Sequence, residues 1–121
     1  MPWTVTLSDE FETEFEALDA GVQDTLLAYG RLLAEFGPHL GRPYVDTLAG
    51  SRNANMKELR FDAADGVWRV AFAFDPRRQA VLLVAGDKSR VTSQRFYKRL
   101  IAKADERYDH HLRRSTPLKK G

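Results

Sequence analysis

Two arginines occupy a segment that alternates like two strands joined by a tight turn, MKELRFDAADGVWRVAF (residues 56–72). If the loop is AADG (residues 63–66), Arg60 lies directly opposite Arg69, and like charges opposed across a strand pair destabilise it. Two guanidinium groups on one face of a sheet form a fork that suits the oxygens of a phosphate group. The pair therefore predicts an anion site, where a bound phosphate would relieve the repulsion.

Three further residues could take part in the chemistry of this site. Glu58 has the strand parity of the two arginines, so it could accept a proton there, or it could simply form salt bridges with both arginines on a solvated face. Lys88 follows the next predicted strand and is expected near Arg69. Lys57 has the opposite parity, so its ammonium group could reach the site only by extending out around the strand.

Other reactive side chains lack the arrangement that catalysis needs. The chain has no cysteine, which excludes disulfides, zinc–thiolate sites and a thiol nucleophile. His110 and His111 are adjacent on a predicted helix and point in different directions, while His39 lies in a predicted loop. The sequence has no serine–histidine–aspartate pattern and no glycine-rich phosphate loop. We therefore expect no metal ion and no cofactor.

Charge is divided unevenly along the chain. Residues 1–36 contain eight acidic residues and one basic residue, so they carry −7, and residues 37–121 carry +9. Residues 88–121 alone contain eleven basic and three acidic residues. This division favours contact with a polyanion such as a nucleic acid from one face. The candidate nucleic-acid-binding residues in this basic part are the cations Arg90, Lys98, Arg99 and Lys103.

The spacing of apolar residues predicts the elements that position these side chains. A strand at Trp3–Leu7 precedes a helix capped by Ser8 and a second helix over residues 19–36, which Gly37 and Pro38 end.

A long connection over residues 37–55 leads to the hairpin segment. Its turn places Gly66 where positive φ is needed, and Pro76 suits a type I turn before the last strand. A final helix begins at Ser93, where the apolar period changes. The three predicted strands cover residues 56–62, 67–75 and 79–86.

Together these elements predict an α+β fold with a single domain over residues 1–112. An N-terminal helical hairpin packs on one face of a mainly antiparallel four-stranded sheet, a C-terminal helix follows, and the face with the two arginines is open. Residues 113–121 form a basic flexible tail. The chain has no apolar run of the roughly 20 residues that cross a membrane, and no signal peptide is evident, so we expect a cytoplasmic protein without a membrane partner.

The segments KELRF (57–61), WRVAFAFD (68–75) and VLLVAGDKS (81–89), followed by a final helix, together resemble the HigB/RelE family of bacterial toxins, in its phage-related HigB branch. The resemblance covers most of residues 3–104. It implies a RelE-like toxin of a type II toxin–antitoxin module that enters the ribosomal A site and cuts mRNA without a metal, by attack of a ribose 2′-OH on the adjacent phosphodiester. The implied partners are the ribosome, mRNA and a helix-turn-helix antitoxin of the HigA type.

The resemblance also implies roles for individual residues. Arg69 matches the phosphate-stabilising arginine of the family, Arg60 matches a basic position on the preceding strand, and Lys88 lies near a basic residue that follows the last strand. Tyr97 matches, with an imperfect offset, a tyrosine that stacks on a base. Where RelE-type members carry a lysine this chain has Glu58, so two candidates remain for activating the 2′-OH. These candidates are Glu58 and Lys57, with Arg60, Arg69 and Lys88 stabilising the phosphate.

Two alternative functions remain open. A ParE-like gyrase poison shares the fold and much of the hairpin but acts by binding a protein target. A non-catalytic RNA-binding or interaction module would retain the anion site without the reaction, and the departure at Glu58 is the feature that favours it. RNA cleavage set against DNA damage distinguishes the nuclease from the gyrase poison.

Overall fold

The structure, a computed structural model, describes residues 2–115. Within these residues it contains five strands, three helices and two short 3-10 turns. The strands are β1 (Thr4–Leu7), β2 (Val45–Thr47), β3 (Met56–Ala63), β4 (Gly66–Phe74) and β5 (Gln79–Asp87). The helices are α1 (Asp9–Glu16), α2 (Ala20–Phe36) and α3 (Ser93–Ser115), and the 3-10 turns cover Gly37–His39 and Lys88–Arg90.

All five strands form one sheet in the order β1-β5-β4-β3-β2. Strand β1 runs parallel to β5, and every other neighbouring pair is antiparallel. The predicted α+β class is confirmed, but the predicted count of four strands is one too few, because the connection over residues 37–55 contains β2. A strand of three residues is too short to show alternation, although its Val45 is buried opposite Leu59 of β3.

The helical hairpin packs on one face of the sheet, as predicted. Phe11 of α1 and Leu26 of α2 belong to one apolar cluster with Leu59, Phe61 and Phe72 of the sheet. Because side chains alternate along a strand, burying this set fixes the register of the central hairpin. The paired positions are those that the sequence predicted.

The opposite face of the sheet is not open, which corrects the sequence-based expectation. Helix α3 covers it, and Phe96 and Leu100 pack with Met56, Ala71 and Val81 of the sheet. The apolar residues of α3 recur at helical spacing, and burying such a stripe requires a second surface. The charged residues that share this face therefore lie at the edge of a helix–sheet interface.

The β3–β4 turn also differs from the prediction in its backbone. Ala64 and Asp65 take the positive φ angles, 48° and 62°, whereas Gly66 does not. A two-residue hairpin loop needs positive φ at both central residues when its turn is of type I′. Glycine at position 66 instead admits a close approach, because a Cβ atom there would lie 2.6 Å from Asp87 Oδ2 and 2.8 Å from Trp68 Nε1.

The helix boundaries follow the predicted signals. Ser8 Oγ accepts the N–H of the residue three positions on at 3.2 Å, and Asp19 begins α2 in a similar way. Helix α3 begins at Ser93 and continues through Arg113, so the first part of the predicted tail is helical. Residues 116–121 of that tail lie outside the described residues. Within residues 2–115 no helix is both long and apolar enough to cross a membrane.

Candidate active site

The first turns of α3 lie over the arginine pair of the central hairpin. Arg60 is directly opposite Arg69, as predicted, and Glu58 lies two residues before Arg60 on the same strand. The side chain of Tyr97, in the first turns of α3, interacts with both Glu58 and Arg69. The structure therefore gathers the four side chains into one cluster beneath a helix.

Arg60 is compensated by carboxylates on two strands. Its Nη1 atom lies 3.0 Å from Glu58 Oε2 and 3.8 Å from Asp46 Oδ2. The same Asp46 oxygen lies 2.5 Å from Arg42 Nη2. The like-charge repulsion across the hairpin is thus offset on the Arg60 side.

Arg69 has no such compensation. Its side chain is buried, with a relative exposure of 7%, and Nη1 donates to the carbonyl oxygen of Trp68 at 2.9 Å. Among residues 2–115 no carboxylate oxygen lies within 4.0 Å of its guanidinium nitrogens, and Nε has no hydrogen-bond partner. A buried cation without a carboxylate is costly, so this position favours the arrival of an anion.

Glu58 is buried beside it and is also incompletely satisfied. The residue is 3% exposed, and Oε2 is bound to Arg60. The other oxygen, Oε1, has no hydrogen-bond partner in the described structure. Glu58 Oε1 and Arg69 Nε are two of the three buried side-chain atoms in residues 2–115 that lack a partner, the third being Trp68 Nε1. Such atoms are rare in native proteins and often mark functional positions.

Tyr97 joins the two incompletely satisfied residues. Burial raises the pKa of its hydroxyl, the carboxylate of Glu58 raises that pKa further, and Arg69 opposes the shift. The hydroxyl therefore keeps its proton at neutral pH. Lys88 also contacts Tyr97, with Nζ over the ring and 5.6 Å from its centre. The predicted proximity of Lys88 to the cluster is borne out by this contact.

Lys57 is not brought to the cluster. It pairs with Thr47 and Phe72 across the neighbouring strands, and its parity places it on the opposite face from Glu58. There it lines a cavity with residues 38–42. The parity inferred from the sequence was therefore right, and Lys57 is the weaker of the two candidates for activating a hydroxyl.

The other predicted RNA-binding residues lie outside the cluster. Arg90, Lys98, Arg99 and Lys103 are all exposed. Arg99 and Lys103 line a cleft of about 210 Å³ between α3 and β5. These cations surround the first half of α3 and add positive charge near the cluster.

Asp46 is the member of the site that sequence analysis missed. It lies opposite Glu58 in the β2–β3 register and completes the carboxylate pair around Arg60. In the sequence, Asp46 is only an acidic residue in a long connection. Strand β2 has three residues, which are too few to show the alternation from which strand parity is inferred. Pairing with β3 is what gives this aspartate its position.

The two adjacent histidines belong to the opposite end of α3. His110 Nδ1 lies 2.7 Å from Glu10 Oε2, and His111 Nε2 lies 2.9 Å from Asp75 Oδ2. They point to different partners, as expected for neighbours on a helix. Within residues 2–115 no three histidine, aspartate or glutamate side chains converge as metal ligands would.

The chain matches a known protein family and two named relatives. Residues 13–109 match the family described as "Phage derived protein Gp49-like". Two proteins of Mycobacterium tuberculosis H37Rv, each named as a candidate toxin, are similar to this chain. HigB2 is 40% identical over 111 residues, which cover 91% of this chain and 54% of HigB2. HigB3 is 42% identical over 108 residues, which cover 89% of this chain and 92% of HigB3. The chain thus spans about half the length of HigB2.

Two solved structures share the fold. A mutant of the Escherichia coli toxin RelE in its free state gives a TM-score of 0.63 at 13% identity, covering 88% of this chain and 98% of RelE. An archaeal RelE–RelB complex from Pyrococcus horikoshii gives 0.54 at 16% identity, covering 75% of this chain and 100% of the matched chain. The match to the Gp49-like family, the relatives and the fold agree that the chain belongs to the HigB/RelE family of toxins, in its phage-derived Gp49-like branch.

Proposed function

We propose that this protein is the toxin of a type II toxin–antitoxin pair and that it cleaves mRNA on the ribosome. The reaction is attack of a ribose 2′-OH on the adjacent phosphodiester, which leaves a 2′,3′-cyclic phosphate and a free 5′-OH. The observation that carries this proposal is the buried guanidinium of Arg69, which lacks a carboxylate partner in residues 2–115 and lies beside the buried, half-satisfied carboxylate of Glu58. Membership of the toxin family supports the first part of this proposal, that the chain is a toxin.

In this proposal Arg69 binds the scissile phosphate. Negative charge accumulates on the phosphorane as the 2′ oxygen attacks, and a pre-positioned donor in a water-poor site stabilises that charge strongly. Arg69 has an unpartnered Nε atom, and its side chain contacts the backbone carbonyl of Trp68 and the side chain of Tyr97. It therefore needs no salt bridge to break before it binds the phosphate.

Glu58 is the proposed acceptor for the proton of the 2′-OH. The free oxygen of Glu58, Oε1, is buried and does not reach a bound substrate directly. We therefore propose that the proton reaches Glu58 through the Tyr97 hydroxyl. The attacking hydroxyl passes its proton to the tyrosine oxygen as the tyrosine proton moves to Glu58. Lys88, whose ammonium group lies over the Tyr97 ring, donates a proton to the departing 5′ oxygen.

Arg60 has a different role from the one that the family resemblance implies. Its guanidinium is bound to Glu58 and lies near Asp46, so it positions the carboxylate rather than binding the phosphate. Lys57, on the other face of the sheet, takes no part in the reaction. The cations Arg90, Lys98, Arg99 and Lys103 bind RNA around the reacting phosphate.

The proposed partner that restrains the toxin is a helix-turn-helix antitoxin of the HigA type. Membership of a toxin family supports an antitoxin in general, because such toxins act within two-component modules. The proposed compartment is the cytoplasm, where ribosomes and mRNA are available.

Primer extension on a defined mRNA in a purified translation system tests the proposal. The wild-type protein is expected to produce cuts that require ribosomes, and Arg69→Ala is expected to abolish them while remaining folded. Arg31→Ala, which removes an exposed arginine from α2, is the matched control and should cut normally. Intact mRNA with folded wild-type protein would contradict the proposal, and DNA breaks in cells that express the protein would favour a gyrase target.

A further inference from the structure

The outer edge of β5 is partly uncovered. Strand β1 pairs only with Gln79–Leu82, so from Leu83 to Asp87 the strand has β4 on one side and no strand on the other within the described residues. Arg107 Nη1 donates to the Leu83 carbonyl at 2.8 Å and so occupies the first position of this edge. Beyond it, a cleft of about 210 Å³ opens between β5 and α3.

This cleft combines an apolar floor with two cations and one carboxylate, that of Asp87, whose Oδ1 atom accepts the backbone N–H groups of Val67 at 3.0 Å and Ser89 at 2.9 Å. Val84, Phe96 and Leu100 are buried at its base, and Val91 is 41% exposed at its rim. The cations that line it are Arg99 and Lys103. Among residues 2–115 neither has a carboxylate oxygen within 4.0 Å, although Lys103 lies close enough to Glu14 to help lower the pKa of that carboxyl.

The cleft begins next to the proposed reaction centre. Gly86 lines it and is also the register partner of Arg69 across β4–β5. Neighbouring strands are about 4.8 Å apart, so a chain bound at Arg69 has only one strand spacing to cross. Gly86 has no room for a side chain, because a Cβ atom there would lie 2.8 Å from the ring of Phe96. That close packing keeps the apolar floor continuous with the strand that faces Arg69.

We propose that this cleft is the subsite for a nucleotide that flanks the scissile phosphate. Its base packs on Val91 and Phe96, its phosphate binds Arg99 and Lys103, and the unpaired backbone edge beyond Leu83 offers N–H and C=O groups to the base. This inference rests on the proposed ribonuclease function and names the part of the substrate that gives that reaction its sequence preference. Base contacts specify a sequence, whereas phosphate contacts only position it.

An extended acidic peptide is the competing occupant, and the structure favours RNA over it. Adding a strand requires a run of free backbone groups, but β5 offers only the short stretch after Leu83, whose carbonyl is already bound to Arg107. A single planar base needs only an apolar pocket with cations at its rim, and it does not need a run of free backbone groups.

A titration of the full-length protein with a short single-stranded RNA tests the subsite. The RNA carries 2′-O-methylribose at every position so that it cannot be cleaved, and the backbone amides of Ala85, Gly86 and Val91 are followed by NMR. We expect these amides to shift on titration, and Arg99→Gln to lower the slope of log affinity against log salt concentration by about 1. Arg31→Gln removes an equal charge from α2 and should leave that slope unchanged.

Each outcome bears on one proposal or the other. Equal effects of Arg99→Gln and Arg31→Gln, or amide shifts with an acidic peptide and none with RNA, would overturn the subsite. Shifts of the cleft amides by RNA, in a protein that fails to cut mRNA on ribosomes, would uphold the cleft and refute the ribonuclease. If the protein cuts mRNA but Val91→Ala and Arg99→Gln leave the base preference at the cut unchanged, the subsite is wrong and the ribonuclease stands.

Discussion

The two halves of α3 treat buried polar groups in opposite ways. At its beginning, Tyr97 covers Glu58 and Arg69, each of which retains a buried atom with no partner in the described structure. Toward its end, Arg107 donates to Glu14 at 2.8 and 2.6 Å and to the carbonyl of Leu83 at 2.8 Å, and Tyr108 Oη donates to the carbonyl of Phe74 at 3.2 Å. Buried polar groups beside the first half of α3 therefore lack some hydrogen-bond partners, whereas the buried polar groups of the second half have theirs.

Asp105 shows how completely the second half is satisfied. Its carboxylate accepts from the hydroxyl of Ser51, from Asn53 Nδ2 at 2.9 Å and from the backbone N–H of Arg52 at 3.2 Å. These contacts fasten the loop before β3 to α3, and so hold the strand that carries Glu58. Burying a polar group with its partners specifies a structure, whereas burying it without them costs free energy and persists where function requires it. We infer that the end of α3 holds the fold and its beginning serves the reaction.

Arg69→Met is predicted to have the largest effect on activity. It removes the phosphate ligand and replaces a buried, uncompensated charge with an apolar chain of similar length. Cleavage should fall by a factor on the order of 10² to 10³, as for the loss of one transition-state donor. Quantitative primer extension measures the fall, and cutting within threefold of wild type would remove Arg69 from the reaction.

Glu58→Gln is predicted to lower cleavage by a factor on the order of 10² while the protein stays folded. The amide retains the shape of the carboxylate but cannot take the proton that Tyr97 delivers. Single-turnover cleavage measures the change at fixed ribosome concentration. Full activity would show that Glu58 only supports the packing of Arg60, in which case Arg60→Gln should be equally harmless.

Arg107→Met is predicted to affect stability rather than chemistry. It leaves the Leu83 carbonyl without its donor and breaks the ion pair with Glu14, whose side chain is 44% exposed and screened by solvent. The free energy of unfolding should fall by about 1–3 kcal/mol, which urea denaturation can measure. A normal urea midpoint would show that the end of α3 does not hold the fold.

Acid is predicted to weaken the same region. Hydrogen bonding to Arg107 lowers the pKa of Glu14 below its ordinary value of 4.5. Because the folded form holds this proton less tightly than the unfolded form, the resulting stability is present above about pH 4.5 and is lost as pH falls below it. In urea denaturations from pH 7 to 3, Glu14→Gln should flatten the acid limb. An unchanged limb would place the acid sensitivity elsewhere.

Lys57→Ala is predicted to have the smallest effect, with cleavage within about threefold of wild type, because its side chain lies on the face away from Arg69. Lys88→Ala, next to Tyr97, is the matched comparison and should lower cleavage by at least tenfold. Primer extension on both variants compares the two faces directly. A reversed order would mean that the substrate reaches the hairpin from the side of α2.

Much of the fold was predictable because its signals are local. The starts of α1 and α2, the facing of Arg60 and Arg69, and the burial of Leu59 follow from capping residues and from strand alternation. Each of these signals lies in the element that it defines or within a few residues of it.

What could not be predicted depends on contacts between distant segments. The apolar stripe of α3 could be predicted from the sequence, but its packing over Glu58 could not. Amphipathicity shows that one face of a helix is buried, but it does not show which surface covers that face. Likewise Asp46 gains its place only when β2 pairs with β3. The residues of the candidate site were therefore largely found, whereas their enclosure was not.

The most direct test is to measure stability and cleavage side by side for Arg69→Met and Arg107→Met. We expect the two variants to show opposite effects. Arg69→Met keeps or raises the urea midpoint and loses cleavage, while Arg107→Met lowers the midpoint and cleaves normally per folded molecule. If both variants lose stability and activity in proportion, the two halves of α3 do not divide structure from function, and the central claim is wrong.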